Sequence, residues 1–93
     1  MLYIKEINKV NDIIKNVRVI YSIERKDIEF EWGISAIISG LKKGHKFRTV
    51  YYNTSGVLVE GADVELIEDG NTKYIRTHKN DTSNDNLNKL PTF

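Results

Sequence analysis

Arginine presents a planar fork of donors that fits phosphate, and an aromatic ring offers a face on which a nucleobase can stack. This chain brings both residue types together. Lys42, Lys43, His45, Lys46 and Arg48 form a basic cluster, Tyr51 and Tyr52 follow it, and Tyr74, Arg76 and Thr77 recur near the end, with Trp32 upstream. The combination predicts a pocket for a small anionic ligand. In it Arg48 and Arg76 meet phosphate, Tyr51 or Tyr74 stacks on a base, and Thr77 and Asn86 fix hydrogen bonds; Lys46 and Asp85 complete the candidate set. Each feature also has a plainer explanation. Lysines after a helix complement its dipole, and strand tyrosines pack against cross-strand neighbours.

Catalysis asks for more than these residues offer. The two histidines, His45 and His78, stand beside basic residues and match neither a zinc-binding spacing nor a catalytic motif. The serines lack the context of a nucleophile elbow, and no glycine pattern forms a phosphate loop or a dinucleotide fingerprint. Glu68-Asp69 falls at a turn, where paired acids are solvated. Asp81, Ser83 and Asp85 alternate like the opening ligands of a calcium loop, but Asn86 stands where the turn glycine is needed and no acid closes the site. The expectation is a non-enzymatic binder without metal or cofactor.

The elements that must position these residues follow from periodicity. Leu2 to Val10 reads as a first strand, and Asn8, Asn11 and Asp12 mark a turn. From Ile13 the pattern alternates, with Val17, Val19, Tyr21 and Ile23 on one face and Arg18, Ser22 and Glu24 with Ile20 on the other. Ile28 to Trp32 reads as a short third strand or an extension of the second. Ile34, Ile37, Ile38 and Leu41 recur at helical spacing, so a helix spans about residues 34–43, ended by Gly44 in a left-handed conformation. Either Ser35 or a backbone turn at Gly33 starts it. Gly40 inside it either weakens the helix relative to alanine or marks close packing against the sheet. His45 to Tyr52 alternates again, Asn53-Thr54-Ser55-Gly56 turns the chain, and Val57 to Ile67 forms the next strand with a bulge at Gly61-Ala62. After a turn at Glu68-Asp69-Gly70-Asn71, Lys73 to His78 is the last strand. The architecture is α+β: a twisted antiparallel sheet with one helix on one face, the other face carrying Tyr, Thr and Arg side chains.

Residues 1–78 make a single domain on this reading, and residues 79–93 an Asn/Asp-rich C-terminal segment. Such a run is too polar to order itself. Leu87, Leu90 and Phe93 then return at a spacing of three around Pro91, the only proline. They predict an anchored end that folds back on the domain or on a neighbouring subunit, with Asp85 and Asn86 forming a local turn.

Tyr74-Ile75-Arg76-Thr77, the Asn/Asp-rich link, Asp85-Asn86-Leu87 and Leu90-Pro91 resemble the end of a family of small bacterial and phage proteins, domain of unknown function 3892. Ile38-Ser39-Gly40-Leu41-Lys42-Lys43-Gly44 and His45-Lys46-Phe47 resemble its middle, so the likeness runs from about Ile34 onward. That resemblance implies no catalytic or binding residues. In size and make-up the chain is also similar to small β-rich oligomeric phage proteins that sequester cyclic-nucleotide immune signals such as those of CBASS defence. The analogy implies a phage-encoded sponge.

Composition bounds the remaining choices. At 93 residues with 40% hydrophobic residues, the chain makes one small domain near the size where a single core just suffices, so a homo-oligomer is expected. It has no cysteine, hence no disulfide framework. The start, Met1-Leu2-Tyr3-Ile4-Lys5-Glu6, lacks the apolar core of a signal peptide, and no stretch approaches a membrane span, which points to the cytoplasm. The net charge of +1 divides into a basic half up to Arg48 and an acidic half from Val50. That division argues against binding along duplex nucleic acid, which wants a broad basic surface. The expected function is therefore non-catalytic sequestration of an anionic nucleotide, a cyclic nucleotide in its sharpest form. The alternative is a protein-interaction module that uses a strand edge and the C-terminal tail.

Overall fold

The computed structural model of the protein describes residues 1–77 and 87–93. Chain order runs β1 (Leu2–Val10), β2 (Ile13–Ile20), β3 (Glu29–Gly33), α1 (Ile34–Lys42), β4 (Phe47–Tyr52), β5 (Leu58–Asp69) and β6 (Thr72–Thr77), then a 3-10 turn at Leu87–Lys89. Among the described residues the strands form one six-stranded sheet in the order β3-β2-β1-β4-β5-β6.

Local chemistry explains the turns. Asn11 and Asp12 adopt positive φ values of 52° and 64°, as a two-residue hairpin loop with the twist of its strands requires, and Val10 pairs with Ile13 across it. Asn53 Oδ1 accepts hydrogen bonds from the backbone N–H groups of Ser55 and Val57, which closes the β4–β5 loop. Helix α1 begins at Gly33, with no side-chain cap. It ends as expected: Gly44 has φ 89°, its N–H reaches Leu41 O, and the His45 N–H reaches Gly40 O, which together satisfy the last-turn carbonyls. Gly40 is half-buried, and a Cβ there would meet the Phe47 ring at 3.2 Å, so the glycine admits the close approach.

The α+β architecture and the single helix are as expected, and four of the five strand pairs are antiparallel. The fifth corrects the all-antiparallel reading: β1 and β4 run parallel, Tyr3 opposite Arg48. The helix supplies the reason. It carries the chain from β3 back over the sheet, so β4 enters in the same direction as β3 and β1. The β4–β5 register slips between Arg48↔Asp63 and Val50↔Glu60, which is the bulge expected at Gly61-Ala62. Thr49 is fully buried opposite it, and its Oγ1 accepts the Ala62 N–H at 3.0 Å.

The main core lies between the sheet and α1, where Ile4, Ile7, Val17, Val19, Ile37 and Phe47 are buried. Leu87 and Leu90 join it, at 1% and 3% exposure. The final residues then lie along β1 where β4 has diverged. Ile7 donates its N–H to Pro91 O, Phe93 donates its own to Ile7 O, and Asn8 Nδ2 donates to Phe93 O at 2.6 Å. Arg18 caps the Phe93 ring at 4.2 Å. A second, smaller cluster of Ile20, Val50 and Leu58 occupies the opposite face, and Ile23 packs on it. Ile23 was expected beside Val17 and Val19; β2 ends at Ile20, the alternation stops, and the following turn carries Ile23 to the other side.

Candidate functional site

Strand alternation and register separate the residues that the sequence suggested as one site. Arg48 pairs with Asp63 and Arg76 with Glu65, and Asp63 and Glu65 are two apart on β5, so both arginines lie on the face away from α1. Tyr74 shares that face by alternation with Arg76 and is 43% exposed. Tyr51 and Thr77 lie on the opposite face. Tyr51 packs half-buried against the main core, and Thr77 Oγ1 accepts the Leu87 N–H. Lys46 is exposed just before β4. Asp85 and Asn86 lie outside the described residues, as do His78 and the suggested Asp81-Ser83-Asp85 cation ligands.

Both arginines are committed to carboxylates. Arg48 Nε donates to Asp63 Oδ1 at 2.6 Å, with Glu60 at 4.0 Å from its Nη1. The hydrogen bond and charge of Asp63 hold the Arg48 guanidinium above its ordinary pKa. Arg76 Nε donates to Glu65 Oε1 at 2.8 Å. Tyr3 OH donates to Glu60 Oε1 at 2.7 Å, and this bond, with burial and the charge of Glu60 behind it, raises the phenol pKa. At the far end of α1, Lys42 stands 3.6 Å from Glu68 and beside Lys73. This charge is largely internally balanced.

A different arrangement forms between α1 and β3. Tyr21, Trp32 and Phe47 supply aromatic surface to a cleft of about 670 Å³, rimmed by Glu31, Lys43 and His45. The size suits a small organic ligand. Its geometry has a simple origin. Trp32 pairs with Val17 and Phe30 with Val19, so both aromatics share the helix-side face, and Tyr21 meets Phe30 edge-to-face at 5.2 Å. Opposite them, Ala36, Ser39, Gly40 and Lys43 fall on one helical stripe, and three of the four are too small to fill the space. The Schellman-type ending of α1 then turns Lys43 and His45 to the cleft mouth. Among the described residues neither has a carboxylate partner. A smaller depression of about 320 Å³ adjoins the cleft through His45 and Phe47, and it takes in Lys46 and Arg48.

The cleft unites Trp32, Lys43 and His45, which the sequence reading had placed in its aromatic and basic groups. It adds Tyr21, Glu31 and Phe47, which that reading left out of the site. Their signal was the aromatic pair Phe30 and Trp32 at a spacing of two, facing a helix with small residues at positions 36, 39 and 40. Among the described residues no group of three or more His, Asp or Glu side chains could hold a metal ion, and no helix is long and apolar enough to cross a membrane.

No curated protein and no solved structure gives a significant match. A family model described as "Protein of unknown function (DUF3892)" matches residues 3–91, nearly the whole chain and well beyond the stretch from Ile34. The protein belongs to the DUF3892 family.

Proposed function

We propose that the protein binds a small aromatic anion in the cleft between α1 and β3 and holds it without turning it over. The observation that carries this reading is the lining: stacking surface from Tyr21 and Trp32 over a floor that includes the buried Phe47 ring, with Lys43 and His45 at the mouth. A nucleotide has both parts that such a lining recognises. Its base would lie against Trp32 and its phosphate against Lys43 and His45. The arginines named at the sequence level contribute little here, because Asp63 and Glu65 already hold them. Sequestration of a cyclic nucleotide is the sharpest form of this function. Of the alternative, an interaction module, the strand edge draws support from β6 at the end of the sheet, while residues 87–93 are engaged within the body.

Trp32 is the only tryptophan, so its emission reports directly on the cleft. Titration with mononucleotides, cyclic di- and trinucleotides and inorganic phosphate is expected to give a saturable emission change for one nucleotide class. A rise in the thermal midpoint should accompany it, reaching roughly 2.7 kcal/mol of stabilisation at a hundredfold excess over the dissociation constant. The ligand should be recovered unaltered. Silence with every compound overturns the nucleotide reading, and recovery of a changed ligand overturns the non-catalytic one.

A further inference from the structure

The two outer strands of the sheet differ in what they would meet in a second copy of the chain. Two identical antiparallel strands related by a two-fold axis pair about a single residue, because residues directly opposite must point to the same face. β3 reads Glu29-Phe30-Glu31-Trp32-Gly33. Centred on Phe30 it would set Glu29 against Glu31 twice; centred on either glutamate it would set that residue against itself. Like charges directly opposite are destabilising, and inserted charge is a common guard on a sheet edge. Only a register centred on Trp32 avoids this, and it pairs no more of the strand than Glu31 to Gly33, so β3 is poorly suited to its own copy.

β6 reads Thr72-Lys73-Tyr74-Ile75-Arg76-Thr77 and forms the opposite end of the sheet. Centred on Ile75, its self-pairing sets Tyr74 of each copy opposite Arg76 of the other, and Lys73 opposite Thr77. No like charges meet. Tyr74 is 43% exposed and the Arg76 side chain 58% exposed, both on the face away from α1. Arg76 is bound to Glu65 through Nε, in its own sheet, which leaves the flat guanidinium face for stacking on a ring. Ile75, buried on the helix side, would meet its copy there and continue the apolar layer.

We propose that the protein forms a two-fold dimer by antiparallel pairing of β6 with β6 of a second copy, centred on Ile75, so that the two sheets become one. The occupant of this edge is the chain itself, because the edge is complementary to itself in charge and side-chain type where β3 is not. The inference is independent of the ligand cleft, which lies beside β3 at the other end of the sheet.

Light scattering on the purified full chain, run up to millimolar concentration, tests it. The wild type is expected at twice its 10.7 kDa monomer mass. Tyr74→Lys sets a cation against Arg76 twice and should weaken the dimer roughly tenfold or more. Tyr74→Glu sets a carboxylate there and should keep the dimer. A monomeric wild type overturns the proposal. Two dimeric variants overturn the assignment to β6, and two monomeric variants overturn the register. The chain has no cysteine, so the double variant Y74C/R76C gives a second reading. Mild oxidation should join two copies covalently in the stated register, and failure to cross-link overturns it.

Discussion

The cleft beside α1 and the charged face of β4, β5 and β6 hold similar side chains in opposite states of engagement. On the charged face Arg48 and Arg76 are bound to Asp63 and Glu65, and Tyr3 is bound to Glu60. In the cleft Lys43 and His45 stand beside aromatic rings with no carboxylate partner among the described residues. A cation held by a neighbouring acid has spent most of its attraction before an anion arrives; a cation at the mouth of an apolar cleft has not. Arginine is the better phosphate ligand in isolation, yet in the function proposed above position reverses the ranking.

Both regions hang on one core, so the largest effect should come from breaking it. Leu87→Ala removes a side chain buried at 1% exposure and should lower stability by about 2–5 kcal/mol in urea unfolding. A change within measurement error would mean that the end of the chain does not belong to the core. Thr49→Val should cost about 1–3 kcal/mol, because the buried Ala62 N–H at the bulge loses its acceptor. Loss of stability without loss of ligand response would show that the bulge serves the charged face more than the cleft.

The comparison itself turns on two substitutions in parallel. Lys43→Ala should weaken nucleotide binding, read by Trp32 emission, by roughly tenfold, the scale of one charge-assisted hydrogen bond. Arg76→Ala should leave binding unchanged. The reverse outcome would return the site to the arginines. The smallest effect expected is at Tyr3. Its folded pKa lies above the ordinary value near 10, so its contribution to stability is complete below that value and is lost as pH rises through the raised one. In an ultraviolet titration Tyr3→Phe should remove a phenol that ionises above its ordinary range and flatten the alkaline loss of stability; an unchanged titration curve would contradict the Tyr3–Glu60 bond.

Much of the fold was legible because it is local. Asn11-Asp12 makes the first hairpin loop since both residues tolerate positive φ, Gly44 ends the helix for a similar reason, and Gly61-Ala62 interrupts an alternating strand where the bulge lies. The site was less legible. Arg48, Tyr51, Tyr74 and Arg76 were grouped for their chemistry, but alternation turns Tyr51 away from Arg48, and the acids opposite the arginines belong to another strand. The cleft draws on the β2–β3 turn, β3, α1 and β4, so no single stretch of sequence contains it.

The amino-acid sequence by itself determined the strands, the helix with its glycine stop, the turn geometries and the absence of disulfides, since each depends on side-chain period or backbone sterics within a few residues. Only the tertiary structure decided that β4 lies parallel to β1, that Ile23 crosses to the second cluster, and that the chain end pairs with Ile7. It also decided which cations meet acids and which face the cleft. Those outcomes depend on which distant segments lie side by side, and that is settled by burying apolar surface on both faces of the sheet rather than by any local preference.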